Sequence, residues 1–499
     1  MAIEKHTEGR ERRRINRREF LGAGLAGAAA FAMSSPIGAF GLRVALGQTP
    51  PRVTGYGPLE PRGDLALPRG FDYAIISWQG MPMSDGRLTP GIFDAMGAFP
   101  LRGHGGRRIA LIRNHENRER PGEAKVVVPP ELEYDAQMYG GCTKLVVELD
   151  GRREPRVVES FAVLGGTSTN CAGGVTPWGS WITCEEVVKR GAGGRKHGYI
   201  FEIDARADGP VEAIPVPAAG RLVHEAAAWH AGILYLTEDR SIEPDPVLGE
   251  IGACFYRYIP SRRPRKPGDL ASSCGRLEAL KIRGEHHANM DVGRIVGVPY
   301  DVEWVPIDDP DHEDDTDSRK DRMPGFIPTR IQAQDKGAAY FDRQEGMWVG
   351  DGKIYFDCTT GGSQNLGQVW EYDPRREKLT LIYESTRPET LENPDNMVVV
   401  PQTGDIFLCE DSPGEQYIRG LTPYGEIYDF ARTLTNDSEF CGACFDPSGR
   451  VLFVNQQGER GDLPNGPAGA RAVTYAIWGP FERRSGARTR SFSTYSLVW

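Results

Sequence analysis

Six residues able to hold a cation recur at one position of a repeated phrase: Asp94, Cys171, Glu225, Glu345, Asp395 and Cys441. Six positions beyond them stand Pro100, Pro177, Ala231, Asp351, Pro401 and Pro447. Short apolar runs follow: RRIALIRN, GSWITCEE, GILYLTED, GKIYFDCT, GDIFLCED and GRVLFVNQ. If the repeat closes on itself, residues at one repeat position converge in space although they are far apart in sequence. Convergent carboxylates repel one another unless they share protons or bind cations, so this set predicts a metal cluster. Hard oxygen ligands suit calcium, and a thiolate beside carboxylates suits a transition metal such as iron.

More acid lies beyond the runs, as Glu185 and Glu186, Glu238 and Asp239, Glu410 and Asp411, with Glu116 in RNHEN. Arg343 stands two residues before Glu345 in FDRQEG, a spacing that points both side chains the same way along a strand. A guanidinium among metal-bound carboxylates suits a phosphate or other oxyanion, through its planar donor fork. Its structural alternative is a salt bridge to Asp342 or Glu345.

The elements that must position these groups are strands. Each run has strand composition and is bounded by Gly, Pro or Asp turn signals. A second phrase follows each copy: GGCTKLVVELDG, HGYIFEID, GACFYRYIP, GQVWEYDP, RGLTPYGEIYDF and RAVTYAIWGP. Two strand types alternating six times, at a period of roughly 40 to 50 residues without helical periodicity, predict an all-β six-bladed β-propeller. In that frame Thr169 to Glu186, TNCAGGVTPWGSWITCEE, reads as one blade's inner strand, with Cys171 at one end and Glu186 at the other. The gap from Glu225 to Glu345 is 120 residues, which predicts a long insertion at about 261–338. Its run DDPDHEDDTDSRKDR lacks the spaced glycine of an EF-hand and reads as a solvated loop, a candidate lid or rim.

Composition agrees with one large β domain over residues 55–499: the chain of 499 residues carries 61 glycines and 37 prolines, which suits many short strands joined by tight turns. Residues 1–47 differ. ERRRINRREFLGAGLAGAAAFAM sets Arg17 and Arg18 before a Gly/Ala-rich apolar stretch too short to span a bilayer, and it resembles a twin-arginine export signal. That implies the Tat export machinery as a partner and a periplasmic or extracellular location, with no stable membrane anchor. Removing that segment takes away eight Lys/Arg and four Asp/Glu, so the net charge moves from −10 to −14. Such acidity argues against nucleic acid as a partner. A monomer is expected. Of nine cysteines, Cys184, Cys358 and Cys409 fall inside apolar runs and read as small buried residues, while Cys441 and Cys444 form a lone CxxC.

NCAGGVTPWGSWITCEE, HGYIFEID, the HE of LVHEAAAW with the later LTED, FDRQEGMW and NPDNMVV together resemble the PhoX-type exported alkaline phosphatases. The resemblance runs from RNHEN near residue 114 to FDPSG near 446. It implies a propeller whose channel holds ferric and calcium ions (Fe3+ and Ca2+) and whose substrates are phosphate monoesters. It further implies Cys171 as the iron thiolate, Glu225 and Glu345 as iron or calcium carboxylates, Glu186 and Asp395 as calcium ligands, and Arg343 as the phosphate-binding arginine. Glu116 is near the metals in this reading, without an assigned role. Two departures stand out. Gln344 replaces the usual proline between arginine and glutamate, and Arg387, Pro388 and Glu389 keep that proline out of repeat frame. The chain is also shorter than the larger members of the family.

Hydrolysis at such a cluster needs no serine or cysteine nucleophile, and no G-x-S-x-G elbow, P-loop or HExxH element is present. Two other functions use the same acidic channel: a calcium-dependent propeller lactonase or phosphotriesterase, and a non-catalytic periplasmic metal-binding propeller.

Overall fold

The computed structural model describes residues 54–482 apart from 102, 104–106, 150–153 and 459–469. The export-signal reading of residues 1–47 lies outside the described residues, as do residues 483–499 of the expected β domain. Among the described residues, no helix is long and apolar enough to cross a membrane.

Six inner strands carry the six repeat positions: Phe93–Pro100, Asn170–Val175, His224–His230, Gln344–Gly350, Pro394–Val399 and Phe440–Phe445. In every one the candidate ligand is the second residue. Each inner strand packs beside the next, and the last returns to the first, so the ring closes and defines six blades, numbered here from Phe93–Pro100 onward. Blade 6 completes itself with a strand from the other end of the chain, Asp72–Trp78, which pairs antiparallel with Val473–Trp478. This joins the two ends of the propeller and leaves no open edge between its first and last blades.

Each repeated run is the second strand of its blade, hairpinned onto the inner strand. Thr169 to Glu186 is therefore two strands rather than one: Asn170–Val175 turns back into Ser180–Glu185, with Asn170 opposite Glu185. The expected placement of Cys171 and Glu186 at opposite ends is corrected by this turn, because Pro177 to Gly179 reverses the chain and brings both to one end.

The insertion also differs from expectation. Gly275–Ile282 is the outer strand of blade 3, and Pro299–Pro306 bridges it to Lys378–Glu384 of blade 4, giving one nine-stranded sheet. The middle of its acidic run, residues 311–319, is held against the propeller, while Asp308, Asp309 and residues 320–322 are exposed. Arg221 is buried and donates to the carbonyls of His312, Asp314, Lys189 and His197 and to the Asp315 carboxylate. Lys196 pairs with Asp311 and Glu313, and Arg240 and Arg330 pair with buried Asp317. Basic residues scattered over blades 2 and 3 and the helix Thr329–Asp335 thus neutralise a segment that looks unpartnered in one dimension.

Apolar residues fill the spaces between facing blades. Trp348, three residues beyond Glu345, packs against the clusters of several blades. Cys184, Cys358 and Cys409 are fully buried in apolar clusters, and all nine cysteines are free thiols.

Candidate metal centre and phosphate site

One local device repeats around the ring. The pairing of inner and second strands slips next to each candidate ligand, between Phe93 and Met96, Asn170 and Gly173, His224 and Ala227, Gln344 and Met347, Pro394 and Asn396, and Cys441 and Cys444. A β-bulge leaves a residue out of the ladder and re-aims its side chain. Here it occurs at the six positions that carry the candidate ligands.

Bulging frees backbone groups, and an unmet buried one costs about 1–3 kcal/mol. The preceding blade satisfies several. Asn455 donates to the Asp94 carbonyl at 2.6 Å, Asn114 to the Cys171 carbonyl at 2.7 Å, and Thr237 to the Glu345 carbonyl at 2.7 Å. Small residues make the approach possible: a Cβ on Gly174 would lie 1.8 Å from the Ala227 carbonyl oxygen, and one on Gly346 2.5 Å from that of Asp395.

A second six-fold relation sets the rim. The residues two before the ligand positions are Ile92, Thr169, Val223, Arg343, Asn393 and Glu439, and their carbonyls accept from the backbone amides of Glu116, Glu186, Asp239, Thr359, Asp411 and Gln457. Four of the six, Ile92, Thr169, Arg343 and Asn393, have φ between 49° and 52°. Left-handed geometry in non-glycine residues costs about 1–2 kcal/mol each, and it is retained here where the chain enters the ring.

The exit positions explain the acidic pairs. Glu185 is buried and accepts from Ser168, Gly198 and Tyr199 amides and from His197, so it is structural. Glu238 accepts from the Cys254 amide and Tyr256 hydroxyl, and Glu410 from Arg419 and the Glu392 amide. The next residue in each pair, Glu186, Asp239 or Asp411, points the other way, as strand alternation requires.

Three trios of potential ligands result: Asp94, Glu116 and Cys171; Cys171, Glu186 and Glu225; Glu225, Glu345 and Asp395. Within each trio the ligand atoms lie within 4.8 Å of one another. Cys171 is shared by the first two trios and Glu225 by the last two. All five sequence-selected ligands are brought together, and two more join them. Asp94 held a repeat position and Glu116 the matching exit position, which were the signals for them. Cys441 occupies the sixth repeat position but belongs to none of the trios; its thiol donates to the Phe93 carbonyl at 3.0 Å.

Electrostatics and hydrogen bonding show that the residues fit cations. Both oxygens of Glu225 and Oδ1 of Asp94 are buried without a hydrogen-bond partner among the described residues. Burial and neighbouring carboxylates push Asp94, Glu186, Glu225 and Glu345 well above the usual carboxylate range, and burial and nearby acids push the Cys171 thiol up as well. Asp395 rises to about 7, from burial and then from Asp411. A cation among such groups inverts that balance by favouring every ionised form. Orienting contacts surround them: Gln457 donates to Glu116 at 2.8 Å, and Asn396 donates to Asp395 at 2.6 Å while accepting from the Gly442 amide at 2.7 Å.

Arg343 donates to Glu345 at 2.5 Å and to both oxygens of Asp239 at 3.0 and 3.2 Å. Asp342 is not its partner; that carboxylate accepts from the Ile242 amide and Thr360. Arg387 and Glu389 lie exposed in a loop. Sequence reasoning missed Arg118, which pairs with Glu116 and with Glu186, the latter at 2.6 Å.

A sequence profile described as "Alkaline phosphatase PhoX" matches residues 54–459. The chain belongs to this PhoX family. It is a phosphatase on a β-propeller. Among solved structures, the Pseudomonas fluorescens PhoX in complex with vanadate, a transition state analogue, is similar in fold at a TM-score of 0.61 and 18% identity, covering 87% of this chain and 99% of that one. The hydrazine synthase of Kuenenia stuttgartiensis aligns at a TM-score of only 0.30 and 13% identity, over 62% of this chain and 63% of that one. A comparison with curated proteins returns no match. The PhoX-family match thus spans all six inner strands and every candidate ligand described above.

Proposed function

We propose that this PhoX-family phosphatase is exported through the twin-arginine route and hydrolyses phosphate monoesters with ferric and calcium ions held by the three linked trios. The observation that carries the reading is the sharing of Cys171 and Glu225 between neighbouring trios, which makes adjacent ligand sets with common members. Cys171 supplies the one thiolate of the set and suits iron, while Glu186, Glu225, Glu345 and Asp395 supply oxygens suited to iron or calcium. Such ions supply Lewis acidity toward phosphoryl oxygens and an activated oxygen nucleophile.

The chain's own residues do the rest. Arg343 presents its guanidinium at the edge of the Glu225, Glu345 and Asp395 trio, where it neutralises charge developing on a phosphoryl group. Asp239 fixes that guanidinium from the neighbouring blade. Asn396 and Gln457 hold carboxylates in one orientation. The vanadate complex of the Pseudomonas fluorescens protein supports a phosphoryl-transfer site in a relative of this fold.

The test is elemental analysis and visible absorption of purified protein, with p-nitrophenyl phosphate hydrolysis at alkaline pH. Iron with calcium, a ferric-thiolate colour lost in Cys171→Ala, and hydrolysis are expected. Calcium without iron, and no effect of Cys171→Ala on metal content, would instead favour a calcium-only propeller chemistry. Export is checked by fractionating cells that carry the Arg17→Lys, Arg18→Lys variant, which should retain the protein in the cytoplasm.

A further inference from the structure

Two arginines, not one, stand among the ligand trios. Arg343 binds Glu345 of the third trio, and Arg118 binds Glu116 of the first trio and Glu186 of the second. Their side chains are similarly accessible, at 27% and 29%, in a site whose other charged groups are almost all acidic and buried. Each joins two blades, Arg343 linking blade 4 to blade 3 and Arg118 linking blade 1 to blade 2.

Arg118 is also held in place and incompletely used. Its amide donates to Glu123 at 2.5 Å, Glu123 also takes the Arg120 amide, and Asn117 donates to the Ala124 carbonyl at 2.6 Å. The short loop after the second strand of blade 1 is therefore fixed before any ligand arrives. On the guanidinium, one terminal nitrogen serves both carboxylates, whereas Nε is buried and has no hydrogen-bond partner among the described residues. A buried cationic donor left unmet is costly, and an anionic oxygen is the partner that relieves it.

Cations bound to Glu116 and Glu186 would draw charge from those carboxylates and loosen their hold on Arg118. The Arg118 guanidinium is then available to a ligand anion.

We propose that Arg118 is a second phosphate-binding residue, contributing its guanidinium to the phosphoryl group from the blade 1 side while Arg343 contributes from the blade 4 side. This rests on the phosphomonoesterase reading above. A two-armed site selects a group with several anionic oxygens, so phosphate monoesters are favoured over diesters, which offer fewer.

The test compares metal-loaded wild type, Arg118→Ala and Arg118→Lys. Inorganic phosphate is titrated calorimetrically, p-nitrophenyl phosphate and bis-p-nitrophenyl phosphate are assayed, and iron and calcium are measured. Arg118→Ala should weaken phosphate binding and lower kcat/KM for the monoester by about ten- to a hundredfold. It should affect the diester less, with unchanged metal content, and Arg118→Lys should recover part of the loss. Phosphate affinity within twofold of wild type overturns the proposal, as does a fall in metal content that accounts for the lost activity, since Arg118 would then only hold the ligands. Wild type that neither binds phosphate nor hydrolyses the monoester would overturn the parent reading instead, a result separable from an active wild type matched by Arg118→Ala.

Discussion

Arg343 grips both oxygens of Asp239, Nε at 3.0 Å and Nη2 at 3.2 Å, and so ties blade 4 to blade 3 beside the candidate metal ligands. Two parallel bonds fix the plane of the guanidinium as well as its position, which a single point charge would not. Arg343→Ala is expected to lower kcat/KM for p-nitrophenyl phosphate by about 10²–10³, the cost of removing one preorganised donor from a developing oxyanion. Arg343→Lys keeps the charge without the fork and should recover only part of it. Steady-state kinetics at matched iron and calcium content check both.

Asp239→Asn tests positioning apart from contact. Its loss leaves Arg343 with Glu345 alone, so the guanidinium is freer to rotate. A smaller fall in kcat/KM than for Arg343→Ala is expected, with unchanged metal content. Identical losses in the two variants would place Asp239 in the binding machinery itself.

Arg221 clamps the acidic run of the insertion. Replacing it with methionine leaves the carbonyls of His312 and Asp314 and the Asp315 carboxylate without their shared cation. Removing one partner of a buried charged network costs about 3–5 kcal/mol. Urea unfolding of the metal-loaded protein should show that loss, and hydrogen exchange should quicken selectively across residues 308–317.

His197 gives a pH signature. Burial by itself lowers its basicity, but Glu185 at 2.7 Å and Asp135 at 3.5 Å outweigh burial and raise it above the ordinary histidine value. A group raised by folding contributes stability that is fully present below its unfolded value, near 6.5, and is lost as pH climbs through its folded value. Stability of the metal-loaded protein should therefore decline as pH rises above about 6.5, and His197→Gln should flatten that segment of the profile. Thermal melts from pH 5 to pH 9 measure it.

Chelation should destabilise the whole propeller. Cations that bind only the folded chain stabilise it by mass action, about 4 kcal/mol for one held at a thousand times its Kd. Removing them returns buried carboxylates to mutual repulsion, so Tm should fall on treatment with a chelator and recover when calcium and iron are restored.

The six-fold frame was legible because a ring of bulged inner strands demands the same residue kinds at the same spacing. Ligand, turn and apolar run recur together, and Cys171, Glu186, Glu225, Glu345 and Asp395 could be named from that pattern and the family resemblance, with Asp94 marked as a repeat position. Which acid of each pair faces the ring was not settled by composition: Glu185 and Glu186 look alike until the hairpin turns one toward His197 and the other toward Cys171. Arg118 carried a local signal in Glu116, two residues before it, but its bond to Glu186 crosses from blade 1 to blade 2 and arises only on folding. The acidic run beyond Pro310 looked solvated because its cations, Arg190, Lys196, Arg221, Arg240 and Arg330, are spread over the chain and meet it only on folding. Closure of the ring was equally hidden, because Asp72–Trp78 and Val473–Trp478 are paired by a register that no local pattern encodes. Local chemistry and repeat period are properties of the chain in order, so sequence determined the blades and the ligand types. Pairing across blades depends on three-dimensional proximity, so only the tertiary structure decided which charges meet.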